Sequence, residues 1–341
     1  MSELDIESVL VDLGYDLDDR GDYWQCNAVY RDGDNRTALQ IYKNTGVWKD
    51  YVAETGFLPF KALVEKSADE QTAGKILKDT NYDSIEKKIE PKKADLEEIY
   101  EEEELEKLLP HYKFYEDRGI SRDILKKLKG GLSTQGQMYQ RFVFPVFNSS
   151  GFIIGFAGRD MMDKEGRPKW KHIGKKTKWC YPYYHPCFYK PELWNNRDVV
   201  LVESIGDFLS LHQNSKLNTL VTFGLEVSPS LISCLVEISP KTIILSSNND
   251  CASKENRGLN AAIKNYLKLL SFFDSKKIKI CLPTKNDFGD MRKEDYNTWK
   301  KKLENILNKD QREDIKTTAK SLFADKKISK NLYSKIKLLN E

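Results

Sequence analysis

A chain of 341 residues, 40% hydrophobic and 31% charged, is long enough for two or three domains with buried cores. No apolar run approaches the roughly 20 residues that cross a bilayer, and residues 1–20 are acidic, unlike a secretory signal, so we expect no membrane segment and a cytoplasmic location. The 55 Lys and Arg residues nearly balance the 52 Asp and Glu residues, so the net charge of +3 does not by itself point to a nucleic acid.

The cysteines are scattered along the chain, and no two of them form a C-x-x-C pair. They are Cys26, Cys180, Cys187, Cys234, Cys251 and Cys281. This usage is typical of a reducing compartment, and we expect no disulfide framework.

Residues 1–80 predict a small domain built on a β-ribbon, with turn residues at 31–35. The predicted elements are a helix over Asp5–Leu17, strands over Tyr23–Tyr30, Thr37–Tyr42 and Gly46–Val52, and a helix over Pro59–Lys66. We expect aromatic side chains to form its core, namely Tyr23, Trp24, Tyr42, Trp48, Tyr51 and Phe57.

Residues 81–109 form a predicted acidic linker. Pro91 lies among charged residues, and glutamates crowd residues 97–106. Charge runs of this kind are usually solvated. An acidic segment that masks a basic groove of the same chain is the alternative.

Residues 110–196 begin with a helical pattern that stops at Gly119 and restarts after Ser121. Arg118 precedes this stop, and it either braces the turn or contacts a substrate. Alternating apolar residues flank an Asn-Ser-Ser-Gly turn and predict a β-hairpin over Arg141–Arg159.

The predicted hairpin opens a basic strip, residues 141–190, with ten Lys and Arg residues against three Asp and Glu residues. Aromatic residues are interleaved with these cations. Cations neutralise phosphates and aromatic rings stack on bases, so the strip predicts a surface for nucleotides or nucleic acid. We expect His172 and His185, which lie in the strip, to be packed side chains and not catalysts.

Residues 197–292 alternate short apolar runs with helical patterns, which predicts an α/β domain with a parallel sheet. The runs cover residues 199–202, 219–223, 242–246 and 277–283. Ligands gather at the carboxyl ends of such strands. Oxygen-bearing side chains follow three of the runs, namely Glu203, Asp207, Asn248, Asp250, Asp287 and Asp290. Oxygen donors without His or Cys indicate Mg²⁺ or Mn²⁺.

Residues 293–341 are rich in lysine, with apolar residues at helical spacing. We expect a helical C-terminus that either caps the parallel sheet or docks on a partner.

The order of these motifs resembles the TOPRIM domain of bacterial and phage DNA primases. The matching segments are Glu203-Ser-Ile-Gly-Asp207, the Asn/Asp cluster at 248–250, and Leu282-Pro-x-x-x-Asp287-Phe-Gly-Asp290. Residues 111–125 and 141–176 resemble the opening and the basic strip of the polymerase core in the same family. The length and the Asp287-x-x-Asp290 spacing resemble the short primases of large tailed phages, for which the location is the bacterial host cytoplasm.

The resemblance implies a multidomain α/β and α+β protein: a small β-ribbon domain (1–80), the linker (81–109), a basic subdomain (110–196), a catalytic TOPRIM sheet (197–292) and a helical C-terminus (293–341). It also implies synthesis of short RNA primers from ribonucleoside triphosphates on single-stranded DNA. A replicative hexameric helicase is the implied partner of the C-terminal segment.

The resemblance also implies residue roles. Glu203 becomes the principal metal-facing carboxylate and a candidate general base. The rest of the implied catalytic and metal-binding set is Asp207, Asn248, Asp250, Asp287 and Asp290. The cations implied to grip template or triphosphate are Arg141, Arg159, Lys169 and Lys171.

The third motif departs from the family, whose form is Asp-x-Asp followed by Ala-Gly. Here it is Asn248-Asn249-Asp250 or Ser247-Asn248-Asn249, with extra residues before Arg257. We prefer the first register because it retains a carboxylate. An amide is a neutral ligand, so the change should weaken metal affinity.

The front domain resembles the family's zinc ribbon without its metal. Cys26 is its single cysteine, and a closed zinc site needs four N or S ligands, so we predict no zinc. Cations that either keep the family's contact with template or are ordinary solvated charges are Arg31, Arg36, Lys43 and Lys49.

Two other classes stay open. A TOPRIM nuclease would cleave phosphodiesters, and a catalytically silent subunit would bind single-stranded DNA or a helicase. The chain has no P-loop lysine motif, which excludes an ATPase motor.

Overall fold

The computed structural model describes residues 5–53, 55–78, 98–162, 166–251 and 255–339. The chain divides into two compact units. The N-terminal unit comprises Met1–Asp95 and Lys316–Lys337, and the central unit comprises Leu96–Ile315 and Leu338–Glu341. Most of the predicted acidic linker lies outside the described residues. Within them, no helix is long and apolar enough to cross a membrane.

The N-terminal unit is built on a four-stranded antiparallel sheet in the order β1-β2-β3-β4. Its elements before residue 95 are α1 (Ile6–Asp12), β1 (Asp18–Asp19), β2 (Tyr23–Cys26), β3 (Leu39–Tyr42), β4 (Trp48–Asp50), α2 (Phe60–Ser67) and α3 (Glu70–Lys78). The strands are shorter than predicted. A 3₁₀ turn over Val29–Arg31 follows β2 where a longer strand was expected.

The aromatic core predicted for this unit is only partly correct. Trp24 and Trp48 are buried, but Tyr51 and Phe57 are 49% and 56% exposed. Tyr51 and Phe57 lie beyond the end of β4, and the period of two along a strand accounts for Tyr23 and Tyr42. Tyr23 and Tyr42 are partners in register on the opposite face from Trp24, so neither reaches the core.

The first sheet of the central unit is antiparallel, with five strands in chain order. Its elements are α4 (Glu103–Glu106), β5 (Leu108–Leu109), α5 (Lys113–Glu116), α6 (Arg122–Lys127), β6 (Gly131–Ser133), β7 (Arg141–Phe147), β8 (Ile153–Asp160) and β9 (Trp170–Gly174), followed by α7 (Pro191–Trp194). The predicted hairpin is present, since β7 and β8 pair from Arg141↔Asp160 to Phe147↔Ile153.

The second sheet of the central unit is parallel, in the order β11-β10-β12-β13. Its elements are β10 (Asp198–Val202), α8 (Ile205–Ser215), β11 (Asn218–Val221), α9 (Pro229–Ile238), β12 (Thr242–Leu245), α10 (Arg257–Leu269), β13 (Ile278–Ile280) and α11 (Lys293–Asn308). The predicted α/β alternation is therefore correct. One hydrophobic cluster includes residues of both sheets, such as Phe142 of β7 and Val200 of β10.

The C-terminal segment divides between the units. Helix α11 packs on the parallel sheet through Tyr296, Trp299 and Leu303, as the capping alternative predicts. Helix α12 (Arg312–Ala324) crosses the boundary, and α13 (Lys330–Ser334) belongs to the N-terminal unit. There the Ser329 hydroxyl donates to Asp32 at 2.9 Å.

The expectation of no disulfide is wrong, because Cys180 and Cys234 are bonded. The two residues are 54 positions apart in sequence, and their Cα atoms are 6.6 Å apart. Helix α9, which carries Cys234, packs against the 3₁₀ turn Lys176–Lys178 beside Cys180. Such a long-range approach leaves no trace in cysteine spacing.

Candidate active site

Glu203 lies directly after β10, the strand buried at the centre of the parallel sheet. Its Oε1 accepts a hydrogen bond from the backbone N–H of Asn248 at 2.8 Å. Asn248 follows β12, so this bond joins the carboxyl ends of two neighbouring strands. The convergence expected from the sequence is therefore present for this pair.

Asp207 is a buried carboxylate, 3% exposed, in the first turn of α8. Its Oδ2 accepts from the backbone N–H of Ser204 at 3.2 Å and from the Ser204 hydroxyl at 2.6 Å. Its Oδ1 accepts from the backbone N–H of Phe288 at 3.1 Å. Burial, and secondarily the charge of Asp287, raise the pKa of Asp207 to about 6. Through this last hydrogen bond, Asp207 links α8 to the turn that directly follows Asp287.

Asp287 caps a short 3₁₀ turn, Phe288–Asp290, and its Oδ1 accepts from the Asp290 N–H at 2.9 Å. Its Oδ2 lies 3.7 Å from the Nζ of Lys169. Burial and the charge of Asp287 also raise the pKa of Asp290. The carboxylate of Asp287 is therefore close enough to both Asp207 and Asp290 for its charge to affect each of them.

In the third motif, Asn248 makes its contact through the backbone, whereas Asn249 and Asp250 make theirs through side chains. Asn248 donates its backbone N–H to Glu203, and the side chain of Asn249 donates to the carbonyl of Pro283 at 3.0 Å. Asp250 lies 3.8 Å from the guanidinium of Arg257.

The donor set fits a sparsely coordinated Mg²⁺ better than a protein cage. Within the part of the chain that the structure describes, no group of three or more His, Cys, Asp or Glu side chains is arranged to hold a metal ion. Mg²⁺ usually takes one or two carboxylates and completes its shell with water and substrate phosphates. Burial, followed by the charge of Asp287, raises the pKa of both Asp207 and Asp290, and a divalent cation beside them would favour their charged forms.

Cys26, the residue that we aligned with a zinc ligand, is a core residue. Its side chain is fully buried on β2, and burial raises the pKa of its thiol to about 12. Zinc binds the thiolate, so this environment opposes coordination. The absence of zinc stays a prediction.

A line of cationic and aromatic groups extends from the acidic residues. The guanidinium of Arg159 donates to the carbonyl of Lys169 at 3.4 Å and lies 5.5 Å from the ring of Phe114. On the same ring, the guanidinium of Arg118 lies 3.6 Å from the centroid. We call Lys169, Arg159, Phe114 and Arg118 the cationic track.

Of the two roles that the sequence left open for Arg118, the structure shows the bracing of the turn, and contact with a substrate stays a prediction. Arg118 braces its turn, because its Nη1 donates to the carbonyl of Phe114 at 2.8 Å. It is also exposed at the far end of the cationic track. The i, i+4 spacing of Phe114 and Arg118 was the available signal for this pairing.

Arg141 does not fit the role of gripping a template. It is 3% exposed, and its Nη1 donates to the carbonyls of Gly158 at 3.2 Å and Pro168 at 3.0 Å. The cause is that β7 is buried along its whole length, on both faces. Arg141 instead braces the backbone just before Lys169.

The other residues singled out in the basic strip are Lys171, which lies on β9, and two histidines that pack against aromatic rings. Lys171 lies half-buried on β9, paired with Gly158. Burial lowers the pKa of His172 and of His185 to about 4. Their rings pack on Trp179 and Phe147 respectively, as expected for packed histidines.

The comparisons with known proteins point to DNA primases. No family model matches the chain. The DNA primase of Helicobacter pylori (strain ATCC 700392 / 26695) is 28% identical over 164 residues, which is 45% of this chain and 28% of that protein. The DNA primase of Borreliella burgdorferi is 28% identical over 169 residues, 47% of this chain and 30% of that protein. The match spans less than a third of the length of these curated relatives.

Solved primase structures are also similar to the chain. The Aquifex aeolicus primase, with its zinc-binding and RNA polymerase domains, aligns with 99% of this chain and 94% of that one, at 17% identity and a TM-score of 0.49. A DnaG catalytic core aligns with 68% of this chain and 91% of that one, at 16% identity and a TM-score of 0.46. Over somewhat less than half of its length, the chain is thus similar in sequence to curated DNA primases.

Proposed function

We propose that this chain is a TOPRIM DNA primase of the short phage type, which joins ribonucleoside triphosphates into RNA primers on single-stranded DNA. The observation that carries the proposal is the placement of Lys169, at the head of the cationic track, 3.7 Å from Asp287. A surface for phosphates therefore adjoins a carboxylate site at the end of a parallel sheet. Sequence similarity to curated DNA primases supports the same function.

Glu203 and Asp287 are the carboxylates that would hold Mg²⁺ or Mn²⁺, with Asn248, Asp250 and Asp290 as further candidates. The bound metal would lower the pKa of the attacking 3′-hydroxyl and balance the charge of the leaving pyrophosphate. Asn248 orients Glu203 through the 2.8 Å hydrogen bond. Asp207 holds the turn that presents Asp287.

The cationic track would bind the triphosphate and the template. Lys169 and Arg159 lie nearest the acids, where the reacting phosphates are needed. Phe114 carries the guanidinium of Arg118 against its ring, and we expect a base to stack on this pair. Lys171 on β9 remains a further candidate for contact with the template.

The larger assignments belong to the same proposal. Residues 1–80 act as a zinc-less template-binding domain, 81–109 as a linker, 110–196 and 197–292 as the two parts of the polymerase core, and 293–341 as a helical segment. A replicative helicase is the proposed partner.

One experiment separates this function from its alternatives. The purified chain is incubated with single-stranded DNA, Mg²⁺ and labelled ribonucleoside triphosphates. We expect short RNA products. Shortened template would instead indicate a nuclease. Binding of the single-stranded DNA without any RNA product would indicate a silent binding subunit.

Replacing the principal carboxylate gives the sharpest variant. We expect Glu203→Gln to lower primer synthesis at least about 100-fold, because an amide withdraws one negative charge from the metal site, where charge stabilisation is worth several kcal/mol. Binding of fluorescent single-stranded DNA, followed by anisotropy, should be unchanged.

The matched control is Glu304→Gln, the same change on the exposed face of α11. It should leave both synthesis and DNA binding unchanged. Near-normal synthesis by Glu203→Gln would exclude Glu203 as the active carboxylate.

A further inference from the structure

Asn256 joins a helix cap to the loop that carries the third motif. It is the N-cap of α10, where its Oδ1 accepts from the backbone N–H of Leu259 at 3.0 Å. The same oxygen accepts from the backbone N–H of Asp250 at 3.2 Å. Its Nδ2 donates to Oδ1 of Asn249 at 2.9 Å. One side chain therefore bonds the helix and two residues of the loop.

Asn249 carries the connection to the loop after β13. Its backbone N–H donates to the carbonyl of Asn286 at 2.7 Å, and its Nδ2 donates to the carbonyl of Pro283 at 3.0 Å. Asn286 immediately precedes Asp287. The position of Asn249 thus bears directly on the backbone that presents this carboxylate.

The preceding residue of the loop, Asn248, carries the connection to Glu203 through its backbone N–H. Its carbonyl lies against α10, where a Cβ added to Gly258 would be 1.6 Å from the Asn248 oxygen. The loop and the helix are in backbone contact at this point. A movement of the loop relative to α10 would therefore also move the hydrogen bond that orients Glu203.

We propose that Asn256 is a positioning residue for the metal-dependent reaction, an inference that rests on the proposed function. Through Asn249 it fixes the loop of Asp287, and through the same loop it fixes the N–H group that orients Glu203. Asn249 is committed to this scaffold, which favours the register Asn248-Asn249-Asp250 for the third motif. Asn256 lies among the extra residues in which this chain departs from the Asp-x-Asp-Ala-Gly pattern.

The variant Asn256→Ser separates positioning from capping. Serine is about as good an N-cap as asparagine and is also neutral, so the cap is kept and the lost bond to Asn249 should lower the thermal midpoint by only a few °C. Serine lacks the amide N–H that reaches Asn249. Residues that orient metal ligands change metal affinity by roughly 10- to 100-fold when they are replaced. We expect about a 10-fold rise in the Mg²⁺ concentration for half-maximal synthesis.

A second readout does not depend on activity. Mn²⁺ added to the protein is followed by the electron paramagnetic resonance signal of the free ion, which disappears on binding. Mn²⁺ affinity should weaken about 10-fold in Asn256→Ser, in step with the Mg²⁺ requirement.

The control is Ser228→Ala, which removes the N-cap of α9, where Ser228 Oγ accepts from Leu231 N–H at 3.1 Å. It should lower the thermal midpoint and leave Mg²⁺ and Mn²⁺ dependence unchanged. If Asn256→Ser binds Mn²⁺ as tightly as the unmodified chain, the inference is overturned. If the unmodified chain binds Mn²⁺ but makes no primers, the proposed function fails while the Mn²⁺ comparison still tests Asn256. If it does neither, both fail.

Discussion

At the scale of single residues, the strand-end pattern predicted Asp207, Asp287 and Asp290 as one acidic site, and their role stays a prediction. In the structure, the charge of Asp287 contributes to the raised pKa of both Asp207 and Asp290. The pattern did not reveal that Asp207 is buried, because that depends on the turn at Phe288 folding against α8. Arg141 was misplaced because the apolar residues after it were interpreted as an alternating strand, whereas β7 is an apolar run buried on both faces.

Asp207 should give the protein a measurable pH dependence. Its pKa of about 6 lies above the ordinary aspartate value near 3.9, so between these pH values the folded state binds more protons than the unfolded state. The stability that this group contributes is therefore fully present below about pH 4 and is lost as the pH rises through 6. The loss should be roughly 2 to 3 kcal/mol.

The measurement is urea unfolding without divalent cations at pH 4 and pH 7, for the unmodified chain and for Asp207→Asn. The variant cannot titrate at this position, so the unmodified chain should lose roughly 2 to 3 kcal/mol more than the variant between these pH values. Asp123→Asn, on the exposed side of α6, corrects for the change in net charge. Parallel pH curves for the chain and Asp207→Asn would contradict the burial of this carboxylate.

At the scale of elements, local patterns were sufficient for the sheets and insufficient for what joins them. The four parallel strands and the hairpin were predicted because apolar runs and turn residues act over a few positions. Strand ends moved where a 3₁₀ turn intervened, as at Val29–Arg31. The close approach of α10 to the loop after β12 involves two backbones, and no hydrophobic pattern encodes it.

The contact between α10 and the Asn248 carbonyl predicts an unusual response to alanine at Gly258. Alanine normally favours a helix over glycine by about 1 kcal/mol. At Gly258 the added Cβ has no room, so we expect Gly258→Ala to lower the free energy of unfolding by about 2 kcal/mol or more, measured with urea.

A second helical glycine provides the matched control. At Gly74 in α3, nothing lies within 4 Å of an added Cβ. Gly74→Ala should therefore raise the stability of its unit by roughly 0.5 to 1 kcal/mol. If both substitutions changed the free energy of unfolding in the same direction, the tight packing inferred at Gly258 would be wrong.

At the scale of the whole molecule, sequence reasoning missed two long-range connections. One is the Cys180–Cys234 disulfide. The other is the membership of Lys316–Lys337 in the N-terminal unit. Both bring together residues far apart in the chain, and single-sequence patterns carry little information about such pairs. The primase function that we propose was predicted from motif order, and over part of its length the chain is similar to curated DNA primases.

We expect the protein to lose stability when the Cys180–Cys234 disulfide is absent. The bond closes a loop with a sequence separation of 54, so Cys234→Ser should lower the free energy of unfolding by roughly 2 to 4 kcal/mol relative to the oxidised chain. Peptide mapping without reductant should recover a linked Cys180–Cys234 peptide. Cys187→Ser, at an exposed free cysteine, should change neither result. Alkylation of both Cys180 and Cys234 before reduction would contradict the pairing.

The division of the chain also has a consequence for its synthesis. The N-terminal unit includes Ser329, which bonds to Asp32 almost 300 positions earlier. On the ribosome, Asp32 is therefore translated almost 300 residues before it can acquire Ser329 as its partner. In the central unit, Leu96–Ile315 is one continuous segment, so its residues are translated together. A nascent chain arrested near residue 315 would therefore carry an N-terminal unit that still lacks Lys316–Lys337, the segment that includes Ser329.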